Sequence, residues 1–303
     1  MVVAVNCPGV IDIVKIAGYY AQMTGVLAGF AFTALVVLLG PARPDEPGLH
    51  RTSRANGVPL VLLAAFIALT MSTLIYSVLA GESEQARGRA ATVEIIDGVP
   101  FGLAVIMLFH GITLLMQGGD IDPVAVGTAR VMTVVISPPL TLYYIANGAA
   151  DTLSIHATRV AGECVATGVS ELGLVLSVIL VLVLAVSVIP KLQPRALRAG
   201  ARKALRLVPI SVLVVSLAAT VAAGDLSTRS PDFLFSPTAL DRYLVGIFVL
   251  LALLGLVLGL GRPEYRGPAG TRKRRSGTAR PPLFRTRRAT SRPSNPGSAC
   301  SAA

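Results

Sequence analysis

Long runs without a charged residue alternate with short polar connections along most of this chain. Crossing the hydrocarbon of a bilayer takes roughly 20 mostly apolar residues as helix. The runs 17–39, 58–80, 98–117, 173–190, 207–224 and 242–261 meet that requirement plainly. A further run, 130–149, contains "VVISPPLTLYYIANG", with Pro138 and Pro139 side by side, and reads either as a span or as a greasy loop. At Arg262 the pattern stops and the chain becomes a tail rich in Arg, Pro, Ser and Gly.

Charge decides the ambiguous run. Lys and Arg collect on the cytoplasmic side of short connections. If 130–149 crosses, the connector 40–57 shares a side with 118–129, 191–206 and the tail, and that side holds 21 of the 27 Lys and Arg residues. If it does not cross, the two most basic segments fall opposite the first basic connector. The pattern therefore predicts an all-α, polytopic transmembrane helix bundle of seven spans, N-terminus outside and C-terminus inside. Residues 1–16 form an extracytoplasmic segment, 17–261 the membrane domain, and 262–303 a disordered, basic cytoplasmic tail. "MVVAVNCPGVIDIVK" has no basic n-region and is broken at Asn6, Pro8 and Gly9, so no cleavable signal is expected and the first span starts insertion.

The two prolines do not forbid crossing. Each removes a backbone hydrogen bond and bends the helix, and membrane helices tolerate this where hydroxyls, neighbours or water satisfy the freed carbonyls. Ser137 and Thr141 are placed to help. Pro138 and Pro139 thus form a candidate helix hinge beside a site, or a static kink fitted to the bundle.

Composition fits the same class. Hydrophobic residues make up 53% of the chain, charged residues only 14%, and mean hydropathy is +0.70; an ordinary soluble domain carries about a quarter charged residues. Arg far outnumbers Lys, and Ala, Gly and Val are abundant, as GC-rich coding produces. In spans such as "YYAQMTGVLAGFAFTALVVLL" the chain resembles the multi-pass integral membrane proteins of unknown function common in GC-rich bacteria. That resemblance covers the spans and not the tail, implies a place in the bacterial inner (plasma) membrane, and implies no activity.

Polar residues inside the spans are the candidate chemistry. Thr70, Thr73 and Ser77 recur at helical spacing in the second span; with His110 in the third and Asn147 in the fourth they form a candidate polar pathway. Such side chains line a hydrated path or bond to neighbouring helices. His110, in "IMLFHGITLL", is the one ionisable residue plainly inside a span, and so a functional hypothesis by default; it is a proton relay or ligand, or a neutral imidazole bonded to a carbonyl. Gly25 and Gly29, flanked by Ala21 and Thr33, and Gly255 and Gly259 are candidate packing positions where helices approach closely, within the bundle or in a homo-oligomer. Cys7 and Cys164 both fall outside and form a candidate disulfide, or remain two thiols.

Several chemistries are excluded. His50, His110 and His156 fall inside, within a span and outside, so they cannot share a metal, and no paired-Cys spacing exists. No span holds a lysine for a retinal Schiff base, and there is no phosphate loop or nucleophile elbow. No catalytic residue, metal or cofactor is expected.

The balance of charge gives the remaining hints. Predicted outer segments sum to −5 and inner ones to +16. Asp97, Asp151, Glu171, Asp225 and Asp241 sit beside span ends, as an anionic rim that gathers cations or as ordinary solvated charge. In "KLQPRALRAGARKALR" (191–206), Lys191, Arg195, Arg198, Arg202 and Arg206 share one helical face, which fits a short helix lying on anionic inner-leaflet lipid. The tail adds attraction of up to about 1 kcal/mol per charge near that surface. Nucleic acid is disfavoured, because Phe284 is the one stacking ring in the basic stretch 271–303. The function expected is movement or sensing of a small solute or cation near spans two to four. The alternative is a non-catalytic scaffold or regulatory protein whose tail binds lipid or a partner.

Overall fold

The computed structural model describes residues 13–40, 57–82, 86–118, 121–161, 170–189 and 195–261. All regular structure among them is helical. Seven helices are long and apolar enough to cross a membrane. They are α1 (Ile13–Leu39), α2 (Val58–Ala80), α3 (Arg87–Gly118), a rod made of α4 (Pro123–Val131), a π turn (Met132–Ile136) and α5 (Ser137–Ala161), then α6 (Glu171–Val188), α8 (Val208–Ser227) and α9 (Pro237–Leu260). The short basic helix α7 (Arg195–Leu205) precedes α8. Cys7, Cys164 and the tail lie outside the described residues.

Local signals fix where the helices start. Asp122 caps α4 by accepting from the Val124 N–H at 3.1 Å, with Pro123 following. Ser170 accepts from the Gly173 N–H at the start of α6, and Ser236 from Ala239 ahead of α9, again with a proline at the first turn. These are the residue types that satisfy orphan N–H groups without breaking the helix.

The ambiguous run is a candidate span that traverses the bundle. Near one end of the rod, Arg159 donates to the carbonyl of Asp232, just before α9 begins. Near the other, Arg130 donates to the carbonyl of Gly259, where α9 finishes. The rod therefore runs antiparallel to α9 over that helix's full length. We call the end where α1 begins the near end. Arg89 closes it further, pairing with Glu82 at 2.7 Å and donating to the carbonyl of Arg229. At the far end Gly259 packs on Ser187 and Val134, and Gly261 faces Ala201 and Leu205 of α7.

Crossing through two prolines has a local solution. Pro138 and Pro139 are the second and third residues of α5. Immediately before them the helix widens into the π turn, and both the N–H and the hydroxyl of Ser137 go to the carbonyl of Met132, the latter at 2.8 Å. A proline ring collides with the carbonyl one turn earlier in an ordinary α-helix; the wider turn relieves that crowding. Local π turns of this kind recur at functional sites.

The helices pack in two groups. One consists of α1, α2, α3 and α8; the other of the rod, α6, α7 and α9. The contact between the groups is chiefly that of α3 with the rod. There Gly102 is needed: a Cβ on it would lie 2.0 Å from Cγ2 of Thr141. α3 is the most enclosed helix, with Leu103, Ala104, Ile106 and Met107 all essentially inaccessible. It begins at Arg87, a full three turns before the start of the apolar run, because the residues ahead of that run are buried inside the bundle as well.

Candidate functional site: a buried carboxyl among hydroxyls

The extension of α3 carries Glu94 and Asp97, one turn apart on the same side. Asp97 is completely buried. This corrects its place in the expected anionic rim: the residue lies inside the near-end half of the bundle. Ser72 of α2, also fully buried, donates to Oδ2 of Asp97 at 2.7 Å. Oδ1 is equally enclosed and meets no donor among the described residues. A buried polar atom without a partner is uncommon in native proteins and calls for an explanation such as a bound ion, a water or a catalytic role.

Aromatic side chains close the space around it. Tyr76 of α2 is fully buried, and its hydroxyl lies 3.3 Å from that of Tyr144 on α5. Tyr20 of α1 packs against both, tilted on Tyr76 and edge-on to Tyr144, with ring centroids 5.3 Å apart in each case, and Phe101 of α3 completes the cluster. Tyr243 of α9 donates to the carbonyl of Ile95 at 3.1 Å. Pro100, inside α3, withdraws the N–H that the carbonyl of Ile96 would use, so the backbone beside Asp97 is irregular in its bonding. Glu94 interacts electrostatically with Asp97 on one side and with half-buried Asp151 of α5 on the other. The three carboxyls thus lead in steps from the near end to the interior. They do not converge, and among the described residues no three His, Cys, Asp or Glu side chains are gathered as a metal ion would need.

The residues singled out from sequence fall in several places. Thr73 meets the hydroxyl of Thr24 on α1 at 2.9 Å and also its own helix at Leu69. Thr70 and Ser77 are exposed on the bundle surface, and each hydroxyl bonds back to a carbonyl one turn earlier, Phe66 and Thr73 respectively. Asn147 is half-buried on α5. His110 is buried, but thirteen residues along α3 from Asp97, or about 20 Å. It borders a void of about 20 Å³ at the far end with Thr113, Gln117, Arg130 and Thr133; the hydroxyls of Thr113 and Thr133 are 3.1 Å apart. The structure therefore does not bring His110 together with the second-span hydroxyls. Of the other acidic residues expected in a rim, Glu171, Asp225 and Asp241 are exposed, and Asp225 pairs with Arg229 at 3.0 Å.

Gly255 packs against Leu184, where a Cβ would come within 2.6 Å of a methyl group, and Gly259 against Ser187, where a Cβ would come within 2.6 Å of the hydroxyl oxygen. Both serve the contact of α9 with α6. Gly25 faces Thr73 across the contact of α1 with α2, whereas Gly29 is exposed and opens onto empty space.

Sequence reading missed Asp97, Ser72 and Tyr144 as a set. The available signal was the spacing in "VEIIDGVPF" (93–101), which puts both carboxyls on one helical side next to a proline. Comparison of the chain with protein-family models, with curated proteins and with solved structures returned no match in any of the three.

Proposed function

We propose that this chain is a bacterial cytoplasmic-membrane protein that takes up a monovalent cation or a proton at Asp97 and moves or senses it. The observation that carries this reading is the enclosed carboxyl itself, one oxygen held by Ser72 and the other without a donor among the described residues. Ionisable residues within membrane helices are costly, and they mark ion and proton pathways. A single enclosed carboxyl with one hydroxyl partner suits a singly charged ion; a divalent ion takes more oxygen ligands from acidic side chains. Glu94 and Asp151 supply the approach from the near end, and the acidic near-end residues raise the local cation concentration.

The orientation follows from charge. Counted along the sequence, the connector 40–57, Arg130, the segment 191–206 and the residues from Arg262 onward hold 21 of the 27 Lys and Arg residues. By the positive-inside rule the far end is cytoplasmic and the N-terminus is outside.

The test is reconstitution. Purified protein in liposomes is given an imposed proton, sodium or potassium gradient, and dissipation is followed with an internal dye. The native chain is expected to dissipate one of the three faster than empty liposomes, and D97N to abolish the difference. If a buried water satisfies Oδ1 instead, no gradient decays faster with protein than without it, and the reading fails.

A further inference from the structure

Because α8 packs on α2 and α3 while α9 packs on α5, α6 and α7, the two helices diverge on the surface. A cleft of about 240 Å³ opens between them in the far-end half. Val212 and Val215 form one wall, Leu250 and Leu254 the other, and Leu103 of α3 the floor. Its lining is apolar except for Ser211. On α9 the lining runs from Leu250 to Val257, about 10 Å of helix, which is the reach of part of one acyl chain.

The mouth of the cleft is cationic. Ala204 and Leu207 line its far end, at the tight turn where α7 passes into α8 and the Leu207 N–H goes to the carbonyl of Ala204 at 2.8 Å. Lys203 and Arg206, their neighbours, are exposed. No Asp or Glu occurs anywhere from 191 to 224, so no carboxylate on α7 or along the first four turns of α8 offsets this charge; Asp225 stands at the opposite end of α8. α7 is held in place through Ala201 and Leu205, which face Gly261 at the end of α9. An apolar slot topped by fixed positive charge, at the level where a leaflet places its headgroups, matches one chemistry.

We infer that the cleft between α8 and α9 is a binding site for an anionic phospholipid of the far-end leaflet. One acyl chain lies in the slot over Leu103, and the phosphate is held by Lys203 and Arg206. The site is separate from Asp97 and does not depend on the reading of that residue.

The chain contains no tryptophan, so a single introduced indole reports on its own surroundings. Leu253 lines the cleft and is 58% exposed, and Leu182, on the outer face of α6, is 61% exposed; both tolerate the larger ring. L253W and L182W are placed separately in the full chain and reconstituted in phosphatidylcholine. Increasing fractions of brominated phosphatidylglycerol or brominated phosphatidylcholine are then added, and quenching gives the relative affinity at each position. Circular dichroism checks that helix content is native. At L253W the anionic lipid is expected to be preferred about fivefold, and at L182W the two lipids are expected to be equivalent. Adding K203Q and R206Q to L253W should bring the preference to unity. Equal quenching by both lipids at L253W, or the same preference at L182W, overturns the site. A preference that survives K203Q and R206Q removes the headgroup assignment. Absence of quenching at L253W means that protein covers the cleft, and the inference is wrong.

Discussion

Ser72 and Asp97 act as a pair whose parts are legible only together. A serine in an apolar span reads as incidental, and an aspartate just ahead of a span reads as loop charge; the contact across α2 and α3 makes them a site. S72A removes the donor to Oδ2 and leaves the carboxyl without a donor among the described residues. It should lower stability in detergent by about 1.5–3 kcal/mol, the range for hydrogen bonds to charged groups, as measured by unfolding with a denaturing detergent. Gly102 offers a second test. G102A should cost about 1–3 kcal/mol, as overpacking does, and T141A in the same chain should recover a large part, because Cγ2 of Thr141 is the atom in the way. Thr70 and Ser77 show the opposite limit of reading. Their spacing is correctly helical, but a three- and four-residue step says only that they share a side, not that the side faces inward, and both hydroxyls are spent on their own helix.

At the scale of elements, hydropathy located the spans because burial in lipid needs length and little else. α2 covers the expected 58–80, as Val58–Ala80. The larger departures are α3 and the rod, which begin or end well beyond the apolar windows. In both, polar side chains such as Thr92, Asp97 and Thr152 are buried against protein, and hydropathy treats such residues as water-facing. The π turn was also illegible, since it arises from how Ser137 and Met132 share a bond ahead of two prolines. P138A with P139A restores two backbone donors, so thermal unfolding followed by circular dichroism should show stability unchanged or raised. A loss beyond about 1 kcal/mol, the scale of a typical net hydrogen bond, would mean that the bend itself is needed for packing.

For the whole molecule, charge carried information that hydropathy lacked: the distribution of Lys and Arg chose crossing for the rod, and the contacts of Arg130 and Arg159 with opposite ends of α9 agree with it. The orientation makes its own prediction. A reporter inserted after Arg54 should read cytoplasmic and one after Glu163 extracytoplasmic. A chain ending at Arg266 should retain full cation movement in liposomes; loss of activity would favour the scaffold reading, in which the tail is the working part. The packing of helices in two groups has a mechanical consequence. Within each group the helices interlock over long faces, whereas the groups meet chiefly along α3 and the rod, at a boundary whose tightest point is a glycine facing Thr141. Shear between the halves would slide this boundary first and leave the interior of each half intact. The paired hydroxyls of Tyr76 and Tyr144 reach across it, as fittings do along the spine of a book.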